Sequence, residues 1–126
     1  GIDDDDIIAL FDSLEETGKI ATIHKILLNG NDFEAVGAAR LASFIAKNYD
    51  VEILDIAWNM IGSEGAKLIA EGLVSNTKLK ILVIDGNDLG MEGAVSMAEF
   101  LPQNNGLNQL ELKDNAMLDS GVACLA

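Results

Sequence analysis

The chain has one cysteine, one histidine, one proline and one tryptophan, and only 8 lysines and arginines against 21 aspartates and glutamates. Each shortage excludes something. Cys124, standing alone, cannot close a disulfide within the chain. His24 has no cysteine, serine or second histidine at motif spacing, so neither a nucleophile triad nor a zinc set is encoded. A formal net charge of −13 leaves no basic footprint for phosphates, which excludes nucleic acid as a partner and argues against anionic membrane surfaces. A basic protein partner would be steered favourably by the same charge, which also serves solubility. No apolar run approaches the roughly 18 residues of a membrane span, and no signal peptide is visible. The chain opens with Gly1 rather than Met, which reads as a processed or excised piece.

What is present is a repeat. LKILVIDGNDL (Leu79 to Leu89) recurs as IHKILLNGNDF (Ile23 to Phe33), VEILDIAWNMI (Val51 to Ile61) and LNQLELKDNAM (Leu107 to Met117). The first residues stand at 23, 51, 79 and 107, a constant spacing of 28. A period of this size means a solenoid. The chain is 126 residues long and 49% apolar, which suits one domain with a continuous core.

Counting from the first residue of each copy, positions 4 and 6 are Ile26 and Leu28, Leu54 and Ile56, Leu82 and Ile84, Leu110 and Leu112. Their alternation predicts a strand with these side chains inward, and it sends positions 3, 5 and 7 outward. Position 11 (Phe33, Ile61, Leu89, Met117) is core. Position 15 is Gly37, Gly65, Gly93 and Gly121, small enough for a helix to approach the sheet closely. Apolar residues at positions 19, 20 and 23 form the inner stripe of that helix. Asn48, Asn76 and Asn104 mark its exit, and Pro102 shortens or kinks the third copy.

Residues 1–22 do not fit the repeat. Ile7, Ile8, Leu10, Phe11 and Leu14 fall at helical spacing behind the run Asp3 to Asp6. An Asp of that run caps the helix, and Gly18 ends it. A calcium loop is excluded for the run by its spacing. The expected organisation is a capping helix and linker over 1–22, then repeats at 23–50, 51–78, 79–106 and an incomplete 107–126.

The pattern L-x-x-L-x-L-x-x-N-x-L resembles the leucine-rich repeat superfamily. The 28-residue length, the full helix and the Gly-Ala pair resemble its ribonuclease-inhibitor-like class. The resemblance implies an α/β right-handed solenoid, a short horseshoe with parallel strands on the concave face and helices on the convex face. It implies structural roles for Asn31, Asn59, Asn87 and Asn115, as a ladder that pairs backbone groups of adjacent turns where the chain leaves the strand. Secreted members usually carry cysteine-rich caps, so their absence here points to a reducing compartment, the cytoplasm.

No catalytic residue, metal ligand or cofactor site emerges. Gly62 to Lys67 (GSEGAK) lacks the full phosphate-loop pattern, and Asp85 to Gly90 (DGNDLG) places Leu89 where a calcium loop needs an oxygen. The informative residues are outward. Ile53, Ile81 and Val83 should touch on the open face, with Leu27 close by and Trp58 on the rim. Asp55, Asp85 and Glu111 surround them. This is the pattern of a binding patch. The expected function is a non-enzymatic module that binds a protein, with Leu27, Ile53, Asp55, Trp58, Ile81, Val83, Asp85 and Glu111 in contact. Rival expectations are a GTPase regulator resembling the Ran GTPase-activating proteins, an actin-binding module resembling the tropomodulin C-terminal domain, and the sensor of a nucleotide-binding immune receptor. Two exposed cross-strand ion pairs are also expected, Glu52 with Lys80 and Asp85 with Lys113. The fourth copy stops at Ala126, which reads as a fragment of a longer array or a self-associating edge.

Overall fold

A computed structural model describes residues 1–115. Helix α1 (Asp4–Glu16) comes first, followed by a 3-10 turn at Lys19–Thr22. Three strand–helix units follow: β1 (Lys25–Leu27) with α2 (Ala35–Ala46), β2 (Ile53–Asp55) with α3 (Gly62–Leu73), and β3 (Ile81–Val83) with α4 (Gly90–Phe100). A second 3-10 turn spans Leu101–Gln103, and β4 is Gln109–Glu111. The helix expected after β4 lies outside the described residues, as do Met117, Gly121, Cys124 and Ala126.

The four strands form one parallel sheet in chain order, with Lys25, Ile53, Ile81 and Gln109 in register. Parallel neighbours need a crossover of a dozen or more residues, and each helix supplies one. The result is the expected α/β solenoid of the leucine-rich repeat kind. Pairing continues past the strands: Leu28 N–H donates to Asp55 O at 2.7 Å and Gly30 N–H to Ala57 O at 2.9 Å, and the next two turns repeat both bonds.

One core runs the length of the stack. Leu54, Ile56, Leu82 and Ile84 are fully buried from the sheet, as are Leu41, Ile69 and Met97 from the helices. Gly65 and Gly93 of position 15 serve a different approach from the one expected. A Cβ on Gly65 would stand 2.7 Å from Ile61 Cβ and 3.1 Å from Ala38 Cβ; one on Gly93 would stand 2.7 Å from Leu89 Cβ and 3.4 Å from Ala66 Cβ. The small residue therefore makes room for the preceding helix and for the position-11 side chain, rather than for the sheet. At Pro102 the chain passes from α4 into 3-10 geometry, because the ring removes the N–H that the next helical turn needs.

Helix α1 packs on α2. Asp3 is its N-cap, with a reciprocal capping box to Asp6, and Gly18 follows its end at φ 74°. Ile7 and Phe11 are fully buried, whereas Leu10 is exposed and Ile8 half-buried. Phe11 meets Phe44 of α2 with ring centroids 4.9 Å apart, and Phe44 stacks on Tyr49 at 5.7 Å.

Candidate functional site

The outward face of the sheet is short because each strand is three residues long. Ile53 and Ile81 are register partners, and so are Leu27, Asp55 and Val83 across three strands. Val83 therefore stands beside Ile81 on its own strand, with Asp55 on one side and Glu111 on the other. Asp55 separates Leu27 from Val83, so the apolar row is Leu27, Ile53, Ile81, Val83 running diagonally. Leu27 is 56% exposed, and Ile53, Ile81 and Val83 are half-buried. Position 7 continues this face unevenly: Asn29 and Lys113 are exposed and Asp85 is half-buried, whereas Ala57 is only 5% exposed.

Beyond the strand every copy makes the same turn. Position 8 is occupied by Gly30, Trp58, Gly86 and Asp114, at φ 71°, 57°, 63° and 55°. This left-handed conformation suits glycine and tolerates aspartate, but a bulky side chain there is strained. Trp58 is held in it by its own N–H, which donates to Asp85 O at 2.7 Å. Its ring lies over the backbone of Gly86, yet the residue remains 55% exposed. A strained, exposed aromatic at the edge of an apolar row is an arrangement that packing alone does not require.

The acids of the patch are oriented by the backbone. Asp55 Oδ1 accepts from Ala57 N–H at 3.1 Å, and Asp85 Oδ1 accepts from Lys113 N–H at 2.7 Å. Gln109 donates to Glu111 Oε2 at 2.9 Å. The ion pair expected between Asp85 and Lys113 is therefore replaced by a bond to the lysine's backbone. No salt bridge joins Glu52 to Lys80 among the described residues; the Lys80 ammonium donates to Thr77 O at 3.3 Å instead. Exposed pairs of this kind contribute little to stability, so little is lost where they do not form.

The position-9 asparagines point inward. Asn59, Asn87 and Asn115 each donate to the carbonyl six residues into the preceding copy, Leu28, Ile56 and Ile84, at 3.0, 2.9 and 3.0 Å. Each also donates to carbonyls of its own turn. Asn115 Oδ1 accepts from Asn87 N–H at 2.7 Å, and Asn87 Oδ1 accepts from Ile61 N–H at 3.4 Å. Asn31 bonds instead to the segment ahead of α1: Ile2 N–H donates to Asn31 Oδ1 at 3.0 Å, and Ile2 O accepts from Asp32 N–H at 2.9 Å.

Three polar groups escaped the sequence reading. The first is a second asparagine row at the helix exits. Asn76 donates to Ile45 O at 2.8 Å, and Asn104 donates to Leu73 O at 2.7 Å; both accept backbone N–H groups from the following turn. The column at 48, 76 and 104 was the signal for it. The second is Asp4, whose Oδ1 accepts from Glu34 N–H at 2.7 Å and Gly37 N–H at 2.9 Å. It caps α2, which has no side-chain cap of its own. The third is Glu15, which accepts from Arg40, from Lys47 at 2.6 Å and from Tyr49 at 2.7 Å. Burial pushes the Glu15 carboxyl up, but the bonds from Lys47, Arg40 and Tyr49 outweigh it and hold its pKa down at about 2. The same carboxylate raises the Tyr49 hydroxyl, and its bonds keep Arg40 protonated against the effect of burial.

No cluster of three or more His, Cys, Asp or Glu able to hold a metal occurs among the described residues. No helix among them is long and apolar enough to cross a membrane. His24 lines an open pocket of about 430 Å³ with Asp50, Glu52, Thr77, Lys78 and Lys80, at the opposite rim from Trp58. Its ring Nδ1 lies 3.2 Å from Asp50 O, and no side-chain hydrogen bond joins it to Thr77 or to either lysine among the described residues.

No curated protein matches the chain. A family model described as Leucine Rich repeat matches residues 47–70 and 75–98. The two matches start 28 residues apart, in phase with the strands. By sequence, the second and third copies are similar to the leucine-rich repeat, and the described residues build the solenoid that such repeats form.

Proposed function

We propose that this chain is a non-enzymatic protein-binding module, and that its partner docks on the outward face of the sheet. Leu27, Ile53, Ile81 and Val83 form the apolar centre, Trp58 the anchor, and Asp55, Asp85 and Glu111 the rim. The carrying observation is Trp58, placed where the other copies have glycine or aspartate and left more than half exposed. Buried aromatic anchors dominate the energy of protein interfaces. The acidic rim and the net charge of −13 select a partner with a basic surface.

Ile81→Asp tests the reading. The side chain is half-buried on the outward face, so circular dichroism and the melting temperature should change little. Affinity for a partner isolated on the unaltered chain should fall by more than about 2 kcal/mol, the hot-spot scale. Unaltered affinity in a folded Ile81→Asp variant would exclude this face.

A further inference from the structure

We propose a second docking surface, in the recess where the strand-to-helix turns of the first two copies meet, for a partner segment carrying an apolar side chain between lysines or arginines. Met60 and Val36 are the two most exposed large apolar side chains among the described residues, at 63% and 60%. Both line one recess of about 440 Å³. Asp4, Glu34 and Glu64 line it too, and no lysine or arginine does. An apolar floor with carboxylates around it complements a side chain that is apolar along its stem and cationic beside it. The net charge of −13 favours the approach of such a segment.

The backbone of the recess is held before anything binds. Asp4 Oδ1 is held by Glu34 and Gly37 N–H groups, which leaves its second oxygen outside those bonds. Met60 N–H donates back to Phe33 O at 3.0 Å, and Gly62 N–H donates forward to Asn87 O at 3.0 Å. A preformed site spends no ordering entropy on its own loops when it binds. None of the residues lining the recess belongs to the apolar row on the sheet, so the two surfaces can be separated by experiment.

The test uses the full chain and two synthetic peptides, one with a leucine pair between lysine pairs and one with glutamates in place of the lysines. Methyl resonances of Met60 and Val36 report binding. The lysine peptide should shift them saturably and the glutamate peptide should not. Glu34→Lys with Glu64→Lys, two exposed positions, should weaken the lysine peptide at least tenfold, whereas Ile81→Asp should leave it unchanged. Absence of a saturable shift at millimolar peptide, equal shifts with the glutamate peptide, unaltered affinity in the double variant, or loss in Ile81→Asp would each overturn the proposal. The comparison of the two peptides on the unaltered chain stands even if the double variant fails to fold.

Discussion

The ring of Trp58 lies so close over Gly86 that any side chain at position 86 would overlap it. The two residues occupy the same place in successive copies, and both are left-handed, at φ 57° and 63°. The tryptophan can lean forward only because its neighbour has no Cβ.

Gly86→Ala should therefore act twice, straining its own backbone and displacing the indole. A loss of about 1 to 3 kcal/mol is expected. Trp58 is the only tryptophan, so its fluorescence reports the displacement directly. An unchanged emission maximum would show that the ring does not depend on Gly86.

Trp58→Asn should separate binding from folding. Asparagine tolerates the left-handed region, so relief of strain offsets the lost ring contact. Urea unfolding should shift by less than about 1 kcal/mol, while partner binding is lost.

Alanine at Asn87 should cost about 1 to 3 kcal/mol, because buried carbonyls lose their donor. Asn59→Ala should cost less. Asn87 uses both ends of its amide, whereas Asn59 Oδ1 has no partner among the described residues. Thermal unfolding of the two variants side by side checks the order.

Stability should fall on acidification through Glu15. Its folded pKa of about 2 lies below its ordinary value of 4.5, so the folded state binds the proton less readily than the unfolded one. The contribution is complete above 4.5 and disappears as pH falls from 4.5 toward 2. It amounts to about 3 kcal/mol at most. Glu15→Gln should flatten the stability profile in that window and leave the steps of other carboxyls in place.

Removing the carboxylate of Asp4 should loosen α2 from a distance. Asp4→Ala leaves the Glu34 and Gly37 amides without their acceptor, at a cost of about 0.5 to 2 kcal/mol. Faster amide exchange in the first turn of α2 is the sign to look for.

What the sequence shows of this molecule is what recurs. Leu54 and Leu82 can be placed inward because the same residue type returns in phase, and both register and core follow from that. The Asp4 and Glu15 contacts occur once, between an aperiodic helix and residues about 30 positions away, so no spacing announces them. Asn76 and Asn104 sit in a visible column, but helix exit and inter-turn bond look alike in sequence. Ala57 is buried although Asn29, Asp85 and Lys113 of the same outward column are exposed or half-buried, a difference made by its neighbours in space that the repeat spacing does not carry. Of the patch, Trp58 stands out in sequence as the sole tryptophan. Its left-handed backbone is legible only by comparison with Gly30, Gly86 and Asp114.

The two rows of asparagine bonds run along opposite edges of the same turns, one where the chain leaves the strand and one where it enters. Their bonds lie between successive turns. With the sheet bonds between them, the two rows tie each turn to the next at both ends of the strand, so tilting one turn against its neighbour has to stretch bonds at one edge or the other, and a partner spanning several strands meets a surface whose pitch is set in advance.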